Sequence, residues 1–153
     1  MLSRFENFTS RISEINRSVQ KIEKDEMEKY GYRGAFARYL VIMRQNEEGL
    51  TISRLCEKSD RDKAAVSRIL SEMGEKGLVR RVDGPSGAYR AKYVLTQAGV
   101  EAADFVCGRA LLAVDTVGRA LTSRERDIFY RALEIIAKEL EILEKKGLQE
   151  NDG

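Results

Sequence analysis

The sequence predicts a mainly α fold with a small β-wing, a winged helix-turn-helix carried between long terminal helices. Three observations predict it. Residues 51–96 read, in order, as a short helix, a tight turn, a second helix and a two-stranded ribbon with a Gly/Pro tip. Val66, Ile69, Leu70 and Met73 fall at i, i+3, i+4 and i+7, one apolar stripe of a helix. Heptad-like apolar seams occupy both ends of the 153-residue chain.

Taken from the N-terminus, the first seam is Phe5, Phe8, Ile12, Ile15, Val19 and Ile22, spaced alternately three and four residues apart. Phe36, Tyr39 and Leu40 follow at helical spacing, which reads first as core. A short helix over about 51–58 has Thr51 as its N-cap and turns Ile52, Leu55 and Cys56 inward, with Arg54 and Lys58 on its polar side. Asp60 and Asp62 precede the second helix, so one of them caps it, and Gly77 closes it. The ribbon begins with Leu78, Val79 and Val82 and turns at Gly84-Pro85-Ser86-Gly87. It returns with Tyr93 and Leu95 on one face and Arg90 and Lys92 on the other. A long helix over about 97–119 is expected to turn Val100, Ala103, Val106, Cys107, Ala110, Leu111, Val114 and Val117 inward. The last helix opens on the capping box Thr122-x-x-Glu125 and carries the second seam, Phe129, Leu133, Ile136, Leu140 and Leu143.

The outer face of the second helix carries Lys63, Ala64, Ser67, Arg68 and Ser71. Small side chains let a helix backbone approach a groove floor, while Lys and Arg reach phosphates or guanine edges. Residues 51–96 hold ten basic and six acidic side chains, a local balance of +4 in a chain whose total is only +2. A basic middle in a near-neutral protein points to a local polyanion site. The candidate DNA contacts are therefore Arg54, Arg61, Lys63, Ala64, Ser67, Arg68, Ser71, Arg81, Arg90 and Lys92.

Other classes fit poorly. The chain has no histidine, so it offers no His general base and no Ser/His or Cys/His pair. It shows no Gly-rich phosphate loop, and two distant cysteines make no metal cluster. No enzyme activity, cofactor or metal is expected. Nor is a membrane span or signal peptide, so a cytoplasmic protein is expected. Cys56 and Cys107 read as core thiols, with a redox-responsive use of either as the alternative. A winged helix used as a protein-interaction adaptor should show apolar anchors on the second helix's outer face, where this chain has Lys63, Ser67 and Arg68.

The two seamed helices can pack on each other within one chain or on a second copy. A two-fold homodimer is favoured, because it would set two recognition helices about 34 Å apart, one turn of duplex. The expected organisation is a single chain with a winged-helix lobe over 33–96, a helical dimerisation region over 1–30 and 97–146, and a flexible tail over 147–153. Its interface candidates are Phe5, Phe8, Ile12, Ile15, Phe129, Leu133, Ile136, Leu140 and Leu143.

The chain resembles the MarR (multiple antibiotic resistance regulator) family over about residues 5–145. The stretch Asp62-Lys63-Ala64-Ala65-Val66-Ser67-Arg68-Ile69-Leu70 carries the resemblance, with Gly77-Leu78-Val79-x-Arg81, Leu95-Thr96-x-x-Gly99 and Leu121-Thr122-x-x-Glu125. The resemblance implies an obligate homodimer on a pseudo-palindromic operator of double-stranded DNA. It also implies repression that a small molecule or an oxidant relieves. It sets an effector pocket between the dimer helices and the DNA-binding lobe, for which Tyr30, Tyr32, Phe36, Arg38 and Tyr39 are candidates, suited to a small aromatic or phenolic ligand. One departure is the wing tip: the family's Asp-x-Arg or Asp-Arg-Arg is replaced by Gly84-Pro85-Ser86-Gly87-Ala88-Tyr89-Arg90, leaving Asp83 to orient Arg81 or Arg90.

Overall fold

The periodicities above resolve, in a computed structural model, into six helices and one hairpin among the described residues. These are α1 (Leu2–Tyr30), α2 (Phe36–Arg44), α3 (Ile52–Ser59), α4 (Lys63–Glu75), β1 (Val79–Gly84), β2 (Gly87–Leu95), α5 (Gln97–Gly118) and α6 (Ser123–Lys146). The structure describes residues 2–85 and 87–148, without the side chains of residues 2, 5, 88 and 89. Most of the expected tail and the Ser86 of the wing turn therefore lie outside the described residues. So does the side chain of Phe5, although its backbone belongs to α1. The chain divides into two units, Met1–Ala113 and Val114–Gly153, with the boundary inside α5.

The first unit is built over one apolar core. Its largest fully buried side chains are Phe36, Met27, Leu40, Leu55, Met73, Leu78, Val66 and Val106. They come from α1, α2, α3, α4, α5 and the residue before β1. Val66, Ile69, Leu70 and Met73 supply the buried face of α4, each worth roughly 1.5–3 kcal/mol of burial. On α5 the buried residues are Gly99, Ala102, Ala103 and Val106. Leu111 and Val117, expected to face inward, are 65% and 71% exposed. The small residues Gly99, Ala102 and Ala103 set the buried face because α5 approaches the base of the hairpin at backbone range. A Cβ built on Gly99 would lie 2.0 Å from the Leu78 carbonyl oxygen. The Thr96 hydroxyl fastens this approach. It donates to the Gly77 carbonyl at 2.5 Å and accepts from the Gly99 N–H at 3.1 Å.

Two further links tie α1 to α5. Glu26, 8% exposed, accepts from Arg109 at 2.7 Å and from Lys29 at 2.6 Å. These bonds, Lys29's first and then Arg109's, hold its carboxyl below the usual range. One helical turn away on both helices, Tyr30 stacks on Phe105 at 4.6 Å between ring centroids.

The second unit comprises the end of α5 and α6. Thr122 and Glu125 form the expected capping box: the Glu125 N–H donates to the Thr122 hydroxyl, and the Thr122 N–H donates to the Glu125 carboxylate at 2.7 Å. No residue of α6 is buried. Phe129, Ile136, Leu140 and Leu143 are exposed, as are Ile128 and Ile135 beside them, and Leu133 is half-buried.

Candidate nucleic-acid interface

The turn between α3 and α4 divides its work between the two aspartates. Asp60 ends α3 in the left-handed region, φ 54°, a conformation that Asp and Asn tolerate better than most residues. The Cys56 carbonyl then accepts from the N–H groups of both Asp60 and Arg61. Asp62 is the true cap of α4, its carboxylate accepting from the Ala65 N–H at 2.8 Å. At the other end of α4, Lys76 is the C-cap and Gly77, φ 71°, turns the chain into the hairpin.

The hairpin is antiparallel, with Val79 opposite Leu95, Arg81 opposite Tyr93 and Val82 opposite Lys92, and with an irregularity between Val82 and Gly84. Leu50 pairs with Tyr93 as an isolated bridge, its N–H donating at 3.1 Å and its carbonyl accepting at 2.8 Å, which pins the hairpin to the segment before α3. Gly49 makes this possible. It has φ 85°, and a Cβ there would meet Val94 at 2.7 Å and the Tyr93 carbonyl at 3.0 Å.

Between α3, the start of α4 and the hairpin lies a concavity of about 1020 Å³. Arg54, Arg61, Lys63, Arg81 and Arg90 all line it, five of the ten candidate DNA contacts brought together from four segments of chain. The helix start matters too: the first-turn N–H groups and the positive end of the α4 dipole add to these cations. Thr51, Ser53 and Asp62 contribute polar walls that sequence reasoning did not assign to the site. Ser53 was findable, as the exposed neighbour of Arg54 on α3.

Carboxylates pair with arginines on this surface. Arg54 pairs with Glu57 at 2.5 Å and Arg81 with Asp83 at 3.1 Å. Asp83 thus orients Arg81 in this wing. Ala64, Ser67, Arg68 and Ser71 lie along α4, with Ser67 half-buried and the other three exposed. Glu72, beside them, is paired with Arg33 from the loop after α1.

Arg90 and Lys92, expected on one ribbon face, line one small recess together, with Val82 and Val94. Arg90, whose φ is 61°, lines the concavity as well.

The effector-pocket candidates divide: Arg38 and Tyr39 line one cleft between α1, α2 and α4, and the other three do not. Phe36 and Tyr39 are 2% and 5% exposed and belong to the core, which leaves Phe36 no face for a ligand. Tyr30 and Tyr32 form an aromatic group with Phe105. Arg38 donates to the Ser59 carbonyl at 3.2 Å and to that of Lys58 at 3.4 Å. Cys56 is half-buried and lines the concavity; Cys107 is half-buried on α5. Burial pushes the Cys107 thiol up, with Glu23 and Asp104 adding to the shift and Arg44 opposing it. Among the described residues no helix is long and apolar enough to cross a membrane, and no group of three His, Cys, Asp or Glu could hold a metal ion.

Comparison with known proteins agrees with this architecture. The MarR family profile matches residues 34–88, from the start of α2 through the wing turn. No curated protein matches the chain. Among solved structures, the chain is similar to one described as a MarR-family transcriptional regulator from Listeria monocytogenes, complexed with a 26-mer DNA. That match has a TM-score of 0.72 and 17% identity, and covers 94% of this chain and 97% of the other. A MarR-family regulator from Silicibacter pomeroyi gives a TM-score of 0.68 at 24% identity, with 91% and 89% covered. MepR of S. aureus, in complex with DNA, gives 0.67 at 16% identity, with 86% and 97% covered. Residues 34–88 are thus a MarR-family winged helix-turn-helix, set in a chain with the fold of that family's transcriptional regulators.

Proposed function

We propose that this protein is a sequence-specific, double-stranded DNA-binding transcriptional regulator. It acts as a homodimer on a pseudo-palindromic operator, as a repressor that a small-molecule effector releases, and it works in the cytoplasm by binding rather than catalysis. The observation that carries the reading is the convergence of Arg54, Arg61, Lys63, Arg81 and Arg90 on one concavity at the start of α4. A phosphate backbone seated there meets charge from helix, turn and wing together. The outer face of α4, with Ala64, Ser67, Arg68 and Ser71, then reads base edges. The Listeria and S. aureus structures with DNA lend the same fold to this reading. The dimer rests on the exposed apolar side chains of α1 and α6: Phe8, Ile12 and Ile15, and Phe129, Ile136, Leu140 and Leu143.

Selection from random duplexes with the purified protein, followed by affinity measurements across a salt series, tests this. Arg68→Ala is expected to cost about 1–3 kcal/mol on the selected operator, as for a base-reading arginine. Lys92→Ala should weaken binding to all duplexes and reduce the salt slope by about 1. A protein that enriches no sequence and ignores every duplex at low ionic strength overturns the reading.

A redox-responsive variant of this function has one observation in its favour, the position of Cys56 in the concavity. Operator affinity before and after peroxide, in the wild type and in Cys56→Ser, decides it: an unchanged wild type removes it.

A further inference from the structure

A second cleft, of about 440 Å³, opens between α1, α2 and α4. Its lining is unusually cationic. Arg17, Lys21 and Lys24 reach it from α1, Arg38 from α2, and Arg61 and Arg68 from the turn before α4 and from α4 itself. Facing them is one lining carboxylate, Glu23, pushed up by its own burial and drawn back by Arg38. Lys21 is committed to Asp25 at 2.6 Å, and Arg38 to the carbonyls that end α3. Like charges lining one concavity repel one another, and an incoming anion relieves that repulsion.

Ala35, Ala37, Ala65 and Ile69 make up an apolar wall of the same cleft, which leaves a surface for an organic group behind a charged head. The head must be multivalent to engage cations on three elements. Phosphoryl oxygens suit guanidinium forks, which bind them bidentately. Arg61 is the geometrically decisive residue, because it lines both this cleft and the concavity of the proposed DNA interface.

We propose that the cleft between α1, α2 and α4 binds a small phosphorylated metabolite, a phosphate ester or diphosphate. Its binding draws Arg61 and Arg68 away from the duplex. Ligand and DNA therefore compete for the same two guanidiniums. The competition rests on the DNA-binding reading above; the ligand site does not.

Calorimetric titration of the full-length protein with inorganic pyrophosphate tests the site, at constant ionic strength with sulfate as the control anion. The wild type should bind pyrophosphate in preference to sulfate. Arg17→Gln/Lys24→Gln, confined to α1, should weaken pyrophosphate about tenfold or more and leave operator affinity unchanged. Arg68→Gln should weaken both ligands. Arg54→Gln/Arg90→Gln, confined to the concavity, should weaken DNA alone. Pyrophosphate should displace the operator from the wild type and not from Arg17→Gln/Lys24→Gln.

The proposal is overturned if the wild type takes pyrophosphate no better than sulfate. It is overturned equally if only the concavity variant loses pyrophosphate, since the anion then sits where DNA does. Equal loss of DNA and pyrophosphate in Arg17→Gln/Lys24→Gln also overturns it, because the cleft is then part of the DNA footprint. Should no duplex bind while pyrophosphate binding still depends on Arg17 and Lys24, the ligand site stands and both the competition and the DNA-binding reading fall.

Discussion

Helices α4 and α6 carry the same kind of apolar stripe and meet opposite fates. On α4, Val66, Ile69, Leu70 and Met73 are all buried, none more than 7% exposed. On α6, Leu140 is 54% exposed, and Phe129, Ile136 and Leu143 are exposed too. The difference teaches that periodicity reports the existence of an apolar face and not what covers it. For α4 the cover is the chain's own core. For α6 the proposed cover is a second copy, because a long seam left in water is costly.

The largest expected effect comes from attacking that second face. Leu140→Asp should place a charge in the proposed seam twice per dimer and cost roughly 4 kcal/mol or more, about a thousandfold in the dimer dissociation constant. Sedimentation equilibrium measures this, and a variant that sediments as the wild type does breaks the comparison.

Next comes the covered side. Gly99→Ala drives a methyl into the Leu78 carbonyl and should destabilise the first unit by about 3 kcal/mol, the upper end for overpacking. A fall in melting temperature of about 10 °C is the expected readout. An unchanged melting curve would mean that α5 can back away from the hairpin at little cost.

Asp62→Ala removes the carboxylate that accepts from Ala65 and should cost about 1 kcal/mol by chemical denaturation. Asp60→Ala removes no such bond; its cost is that of a less tolerant side chain at φ 54°.

The smallest effect is a pH dependence. Glu26 is held below its ordinary range in the folded chain, so the unfolded chain binds its proton more readily. Its contribution is complete above about pH 4.3, the ordinary glutamate value, and is lost as the pH falls through the lower folded value. Wild type and Glu26→Gln should therefore differ in stability near pH 6 and converge as the solution is acidified. Denaturation curves at a series of pH values check this, and a difference that grows on acidification has the wrong sign.

Much of the fold was legible because its signals are local. The stripe on α4, the Thr51 and Thr122 caps and the Gly/Pro turn each depend on residues within one element or its edge. The cations of the concavity were legible, since all five belong to the basic excess of 51–96, but the neighbouring cleft was not. Arg68 and Arg61 share the neighbouring cleft with Arg17 and Lys24, more than thirty residues earlier in the chain, and no periodicity links such positions. Leu111 and Val117 misled because they continue a helical pattern beyond the part of α5 that contacts the core.

The backbone seat of Gly99 on Leu78 has a mechanical consequence. Side chains normally act as shock absorbers between neighbouring elements, swinging to another rotamer when one element shifts. At this seat the Gly99 backbone faces the Leu78 carbonyl directly, with the Leu95 side chain beside it, and the Thr96 hydroxyl bolts the joint from two directions. A rotation at the start of α5 is thus passed to the root of the wing, three residues from Arg81.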